Sequence, residues 1–187
     1  MKHDFKTLRV VEVRPETSEA VAVALEVPPE ARDDFRFRPG QHLVVRAPID
    51  GEEVRRTYSI CSGPDDKDLW IAIKRVPGGV LSSWVHGALR PGATLECMPP
   101  AGRFVLPEGD GSPRRAIAIA AGSGITPVIG ILEHMLAAEP ASRATLIYGS
   151  RSVDQIIFRE RLEDLKDRNV ERLQVFHVLS RDAEEDV

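Results

Sequence analysis

The chain has 187 residues, 42% hydrophobic and 29% charged, with a formal net charge of −4, which allows one large domain or two small ones with real cores. The acidic balance excludes a general basic field for nucleic acid, so any anion site is local. Cys61 and Cys97 lack CxxC spacing and the histidines (His3, His42, His86, His134, His177) are scattered, which signals neither zinc nor a disulfide framework and points to a reduced, intracellular thiol state.

The opening "MKHDFKTLRV" has no apolar signal-peptide core, and the longest apolar run, Ala116 to Gly122, is too short to cross a bilayer. A cytoplasmic location is expected. Residues 6 to 110 read as short strands: "TLRVVEVRPE", "EAVAVALEVP", "PGQHLVVRAP", "EVRRTYSICS", "LWIAIKRV" and "ATLECMPP". Their alternation and Pro/Gly boundaries predict a small antiparallel barrel or sandwich. One short helix, "GGVLSSWVHGAL", interrupts them before "RPGA".

After the polar linker "PEGDGSPRR" the pattern becomes strand "AIAIAAG", helix "ITPVIGILEHMLAAE", strand "ATLIYGS", helix "VDQIIFRERLEDLKDR" and strand "RLQVFHVLS". This order implies a parallel sheet with covered faces, with a domain boundary near Ser112: residues 1–111 and 112–187. Thr126 is expected to N-cap its helix with Pro127 at the first helical position, and Ser152 followed by Gln155 reads as a capping box.

In "AIAIAAGSGITP", Gly122 and Gly124 stand between a buried strand and a helix start, where bare backbone lets a pyrophosphate reach the helix N–H groups. A plain tight turn explains such glycines equally, and the third fingerprint position is Pro127 rather than glycine. "YGSR" stands where a dinucleotide fold reads the ribose, with Ser150 and Arg151 in place of an acidic residue, and "HVLSR" offers Ser180 and Arg181 to a 2′-phosphate. Solvated loop arginines are the plain alternative.

In the first half, "IKRVPGGVLSS" puts Ile73, Lys74 and Arg75 at a strand end and Gly78, Gly79, Val80, Leu81 and Ser82 at a helix start. That is a second candidate phosphate cradle, or else a surface hairpin with a polar helix cap. In "RRTYS", alternation sends Arg56 and Tyr58 to one face and Thr57 and Ser59 to the other. Arg56 suits a diphosphate, Tyr58 a flat ring and Ser59 a ring nitrogen; an exposed strand end with a half-buried tyrosine is the alternative.

Taken in order, "RTYS", "KRVPGGVLSSWV", "GSGITP", "YGSR" and "HVLSR" resemble the ferredoxin–NADP reductase superfamily. More narrowly, "RRTYSICSGP", "KRVPGG" and "HVLSR" are similar to reductase subunits of phenylacetyl-CoA epoxygenase, the multicomponent oxygenase of phenylacetate degradation. The resemblance implies an all-β antiparallel, Greek-key, FAD-binding barrel followed by an α/β parallel-sheet NAD(P)-binding domain. It implies Arg56 on the FAD diphosphate, Tyr58 packed on the isoalloxazine, Ser59 near flavin N5, and Gly78, Gly79 and Ser82 on the FAD phosphates. Tyr58 and Ser59 are thus the expected residues beside the reacting ring.

Two departures matter. The family's nucleotide domain continues to a Cys-Gly-Pro motif, and the epoxygenase reductases add a four-cysteine [2Fe–2S] domain, whereas this chain stops at Val187 with two cysteines. The third strand would also be a bare apolar edge. A truncated fragment is inferred, its [2Fe–2S] centre lying in the missing part or on a separate partner.

The function implied is a flavin reductase core that takes a hydride from NADPH onto FAD and passes electrons to an iron–sulfur acceptor and its oxygenase subunits, with no nucleic acid or membrane involved. An NADH- or FMN-dependent relative of another oxygenase or dehydrogenase system, or a nucleotide-binding and partner-docking module without turnover, remains open. Cys61 is expected to be a packing residue.

Overall fold

The computed structural model describes residues 4–63, 66–109 and 111–181. Strands β1 (Lys6–Thr17), β2 (Ala20–Glu26), β3 (His42–Ile49), β4 (Glu52–Ser59), β5 (Leu69–Lys74) and β6 (Thr94–Cys97) form a six-stranded sheet of order β4-β3-β6-β1-β2-β5. Neighbours pair antiparallel, and a bridge between Ile60 and Ile71 joins the two ends of the order. That bridge brings the two end strands together as a barrel.

Alternation explains the packing. On β3, Leu43, Val45, Ala47 and Ile49 point inward, where they meet Leu8, Val23, Leu25, Ile71 and Ile73 from other strands. Helix α1 (Val80–Ala88) plugs this core with Leu81 and Val85. β2 breaks the alternation, since Ala20 and Ala22 are buried on its outward face; together with Ala72 they belong to the second core.

That core lies under β7 (Arg115–Ala121), α2 (Ile125–Ala138), β8 (Arg143–Ser150), α3 (Arg159–Arg168) and β9 (Leu173–Leu179), whose strands form a parallel sheet of order β7-β8-β9. Both connections step in the same direction across the sheet, so right-handed crossovers put α2 and α3 on one face. Leu146 and Tyr148 are fully buried there. Ile119, Ile147 and Phe176 stand in register on the opposite face, with Ile117 and Ile119 76% and 75% exposed. The expectation of two covered faces therefore holds for one face only among the described residues.

Two helix starts differ from the sequence reading. A 3-10 turn, Gly122–Gly124, leads directly into α2, so Thr126 lies inside the helix and its hydroxyl donates to Ser123 O at 2.7 Å instead of capping. The helix expected from Val153 begins only at Arg159, after a 3-10 turn at Val153–Gln155 and a left-handed Phe158 (φ 61°). Ile156, Ile157 and Phe158 are all buried, and consecutive side chains cannot all face one core from a helix. Ser152 donates to Asp154 rather than forming a capping box.

Candidate functional site

At the end of β4, Tyr58 pairs with Leu43 and Arg56 with Val45, so both share the inward face, as alternation predicts. Tyr58 packs against the barrel core, and burial pushes its phenol up to about 12. Arg56 is exposed beyond that core, one guanidinium nitrogen donating to Arg55 O at 2.6 Å. Thr57 is exposed and Ser59 half-buried. α1 lies against β3, β4 and β5, which brings the cradle segment to the same end of the barrel.

In that segment Ile73 and Leu81 are fully buried and offer only backbone, while Lys74 is half-buried and Arg75 and Val80 are exposed. Gly78 has φ +73° and open space around it. A Cβ on Gly79 would fall 2.6 Å from Ser82 Oγ and 3.0 Å from Val76 O. Ser82 Oγ accepts from Val76 N at 3.1 Å and donates to Gly79 O at 3.3 Å, so the hydroxyl expected on phosphate ties the loop. What the loop presents is backbone: the first-turn N–H groups of Val80 and Leu81 have no intrahelical partner.

The second glycine turn faces the barrel, because a side chain on Gly122 would point toward Lys74 Nζ, 3.9 Å away. Tyr148 Oη, deep in the second core, donates to Gly122 O at 2.9 Å and accepts from Ile157 N at 3.3 Å, fixing the turn from beneath. Gly122 has φ +50°, a conformation that favours glycine. Gly124 does not: its φ is −63°, and a Cβ there meets nothing within 4 Å. Its bareness serves nothing inside the described protein, which fits a turn kept clear for a group from outside.

Beyond β8 and β9 the pairing continues, with Ser180 N donating to Ser150 O at 3.0 Å and Arg181 N to Arg151 O at 2.9 Å. Arg151, Ser180 and Arg181 are exposed. Ser150 is only 8% exposed and its Oγ is covered, so it does not present its hydroxyl to solvent as the sequence reading expects.

The sequence reading missed the seam between the two cores. Arg161 of α3 donates to both carboxylate oxygens of Glu133 on α2 at 2.7 and 2.5 Å, with Asp66 of the barrel 3.6 Å away. Glu16 of β1 accepts from Phe158 N at 3.3 Å, and burial holds its carboxyl above the usual range. Gly130 lets α2 approach the chain after β4, since a Cβ there would lie 3.2 Å from Ser62 O. Glu133, a lone acid in the apolar run "GILEHML", was the one local sign of this seam. Cys61 and Cys97 lie in separate cores, and burial pushes both thiols up to about 12.

Comparison with known proteins identifies both halves of the chain. Residues 8–106 match the oxidoreductase FAD-binding domain and residues 118–187 the oxidoreductase NAD-binding domain. The chain is 43% identical over 179 residues to a component of the 1,2-phenylacetyl-CoA epoxidase of Escherichia coli, covering 96% of this chain and 50% of that protein. The chain belongs to the ferredoxin–NADP reductase family. A further relative is the ferredoxin reductase component of the Rhodococcus rhodochrous 3-ketosteroid-9-alpha-monooxygenase, at 38% identity over 92% of this chain and 48% of that protein. The chain thus spans about half the length of these curated relatives. The fold of this family member is shared with a Neisseria gonorrhoeae ferredoxin NADP+ reductase solved with FAD and NADP, at TM-score 0.81 and 22% identity, over 98% of this chain and 71% of that one. No helix among the described residues is long and apolar enough to cross a membrane.

Proposed function

We propose that this reductase-family chain is the flavin- and nicotinamide-binding core of an electron-transfer component, cytoplasmic, taking a hydride from NADPH onto FAD and serving an iron–sulfur acceptor in an oxygenase system of the phenylacetyl-CoA epoxygenase type. Residues 1–111 hold FAD and residues 112–187 the nicotinamide cofactor. The bound flavin supplies the hydride-accepting and single-electron chemistry. The chain's own groups bind and orient: Arg56 and the N–H groups of Val80 and Leu81 take the flavin diphosphate, Tyr58 covers the ring and Ser59 addresses its reactive nitrogen. Lys74 and the first turn of α2 take the nicotinamide cofactor's diphosphate, and Ser180 and Arg181 its 2′-phosphate.

One observation carries this reading: Gly124, with ordinary helical φ and empty space around it, leaves the first turn of α2 open to an approaching ligand. Lys74 Nζ stands beside Gly122 of the same turn, and the Gly78–Gly79 cradle opens from the loop that follows that lysine. Incubating the purified chain with a mixture of FAD and FMN, removing free flavin and chromatographing what denaturation releases tests the diphosphate assignment. Retention of FAD is expected; retention of FMN alone overturns it. A titration with AMP and 2′-phospho-AMP then tests the cofactor, tighter binding of the phosphorylated form being expected and equal binding favouring NADH.

A further inference from the structure

Glu19 sits in the tight connection between β1 and β2, where a charged residue ordinarily faces water. Its Oε2 lies 3.5 Å from Lys74 Nζ and 3.8 Å from Arg151 Nη1. The two cations come from different sheets, Lys74 ending β5 and Arg151 following β8. Lys74 Nζ is also the atom that a side chain on Gly122 would approach. One carboxylate oxygen therefore stands between two cations beside a bare glycine turn, the arrangement a phosphate oxygen requires.

The backbone around Glu19 is anchored. Its carbonyl accepts from Arg75 N at 2.6 Å. Its neighbour Ser18 accepts from Gln155 Nε2 at 2.8 Å, and Glu16 accepts from Phe158 N. The hairpin is thus fastened to the segment that follows Arg151, and the Glu19 side chain, 40% exposed, projects from an anchored backbone.

We propose that Glu19 is a built-in stand-in for the nucleotide's diphosphate, its carboxylate held between Lys74 and Arg151 in the empty site and rotated out when nucleotide binds. The proposal rests on the reading of the Gly122–Gly124 turn as a nucleotide site. It assigns Arg151 to the diphosphate common to NADH and NADPH and leaves Arg181 to the 2′-phosphate. Glu19 then lowers affinity for both cofactors equally, so that it sets the binding range rather than the choice between them.

Calorimetric titration of the 187-residue chain with ADP-ribose and with its 2′-phosphorylated form tests this. In Glu19→Gln both ligands should tighten by the same factor, about threefold, as follows from freeing two partly exposed cations; Arg151→Ala should weaken both alike. Glu19→Ser, which also removes the charge, carries the same expectation if glutamine disturbs the hairpin. Unchanged or weaker ADP-ribose binding in both Glu19 variants makes the carboxylate a brace and overturns the proposal. Tightening of the 2′-phosphorylated ligand alone moves Arg151 to the ribose and overturns it as well. If the unaltered chain binds neither ligand, the nucleotide reading of the turn fails, and the proposal fails with it.

Discussion

Replacing Gly124 with alanine adds one methyl group where nothing in the protein lies within 4 Å. The backbone is already helical there, at φ −63° and ψ −13°, so glycine's usual advantage at an extended N-cap does not apply. Alanine has fewer conformations to lose, and folding should gain about 0.4–1 kcal/mol. In a chain of this size that is a rise of about 1–4 °C in Tm. The same methyl fills the space through which a diphosphate reaches the first turn of α2. Losing one charge-assisted hydrogen bond there costs about 1.5–3 kcal/mol, a factor of about ten to a hundred in affinity. Thermal unfolding by circular dichroism and calorimetric titration with ADP-ribose read both effects on one sample. A lower Tm would mean that the protein needs this glycine for itself, and undiminished affinity would mean that no ligand comes this way; either result refutes the reasoning.

Tyr58→Ala should lose FAD while Tyr58→Phe keeps it, because the stack is worth roughly 0.5–1.5 kcal/mol and needs the ring rather than the hydroxyl; equal flavin content in both variants removes Tyr58 from the site. Arg161→Leu leaves the Glu133 carboxylate buried without its main partner and should destabilise by about 2–4 kcal/mol, with most of the loss recovered when Glu133→Leu is added; additive losses in urea unfolding would deny the coupling. Burial raises Cys61 and Cys97 from 9.0, and Tyr58 from 10.0, to about 12. Their contribution to stability is therefore whole below pH 9 and lost as pH climbs through 12, and neither thiol should react with a disulfide reagent at pH 8 until the chain unfolds; a fast-reacting thiol in the folded chain contradicts this. Arg181→Ala should weaken 2′-phospho-AMP about tenfold or more and leave AMP unchanged, and a parallel loss of both would reduce Arg181 to a general cation.

What was legible in the sequence was what local chemistry determines. Period-two alternation in "HLVVRAPI" marks a half-buried strand whichever strand it pairs with, and the strand–turn–helix order of the second half implies its parallel sheet. The glycine turns were legible because bare backbone at a strand-to-helix junction serves few purposes. What escaped depends on distant residues. The break before α3 arises because Ile156 to Phe158 dive together into the second core, with Phe158 N met by Glu16 from the far end of the chain. Their places beside glycine and arginine mark Ser82 and Ser150 as ligand groups, but one ties its own loop and the other is covered. Glu19 gave no sign at all, since a glutamate in a hairpin turn is ordinary until two cations fold over it.

The small residues along the seam also govern how this family member can be recombined. Ala20, Ala22 and Ala72 on the barrel wall lie in one core with the α2 side chains, and Gly130 admits the backbone of Ser62. A chimera that joins this barrel to a relative's second half inherits a contact surface built on small residues, where added bulk on one side has to be matched by lost bulk on the other. Transferring the four small residues as a set is then the first requirement for a hybrid whose two halves still pack.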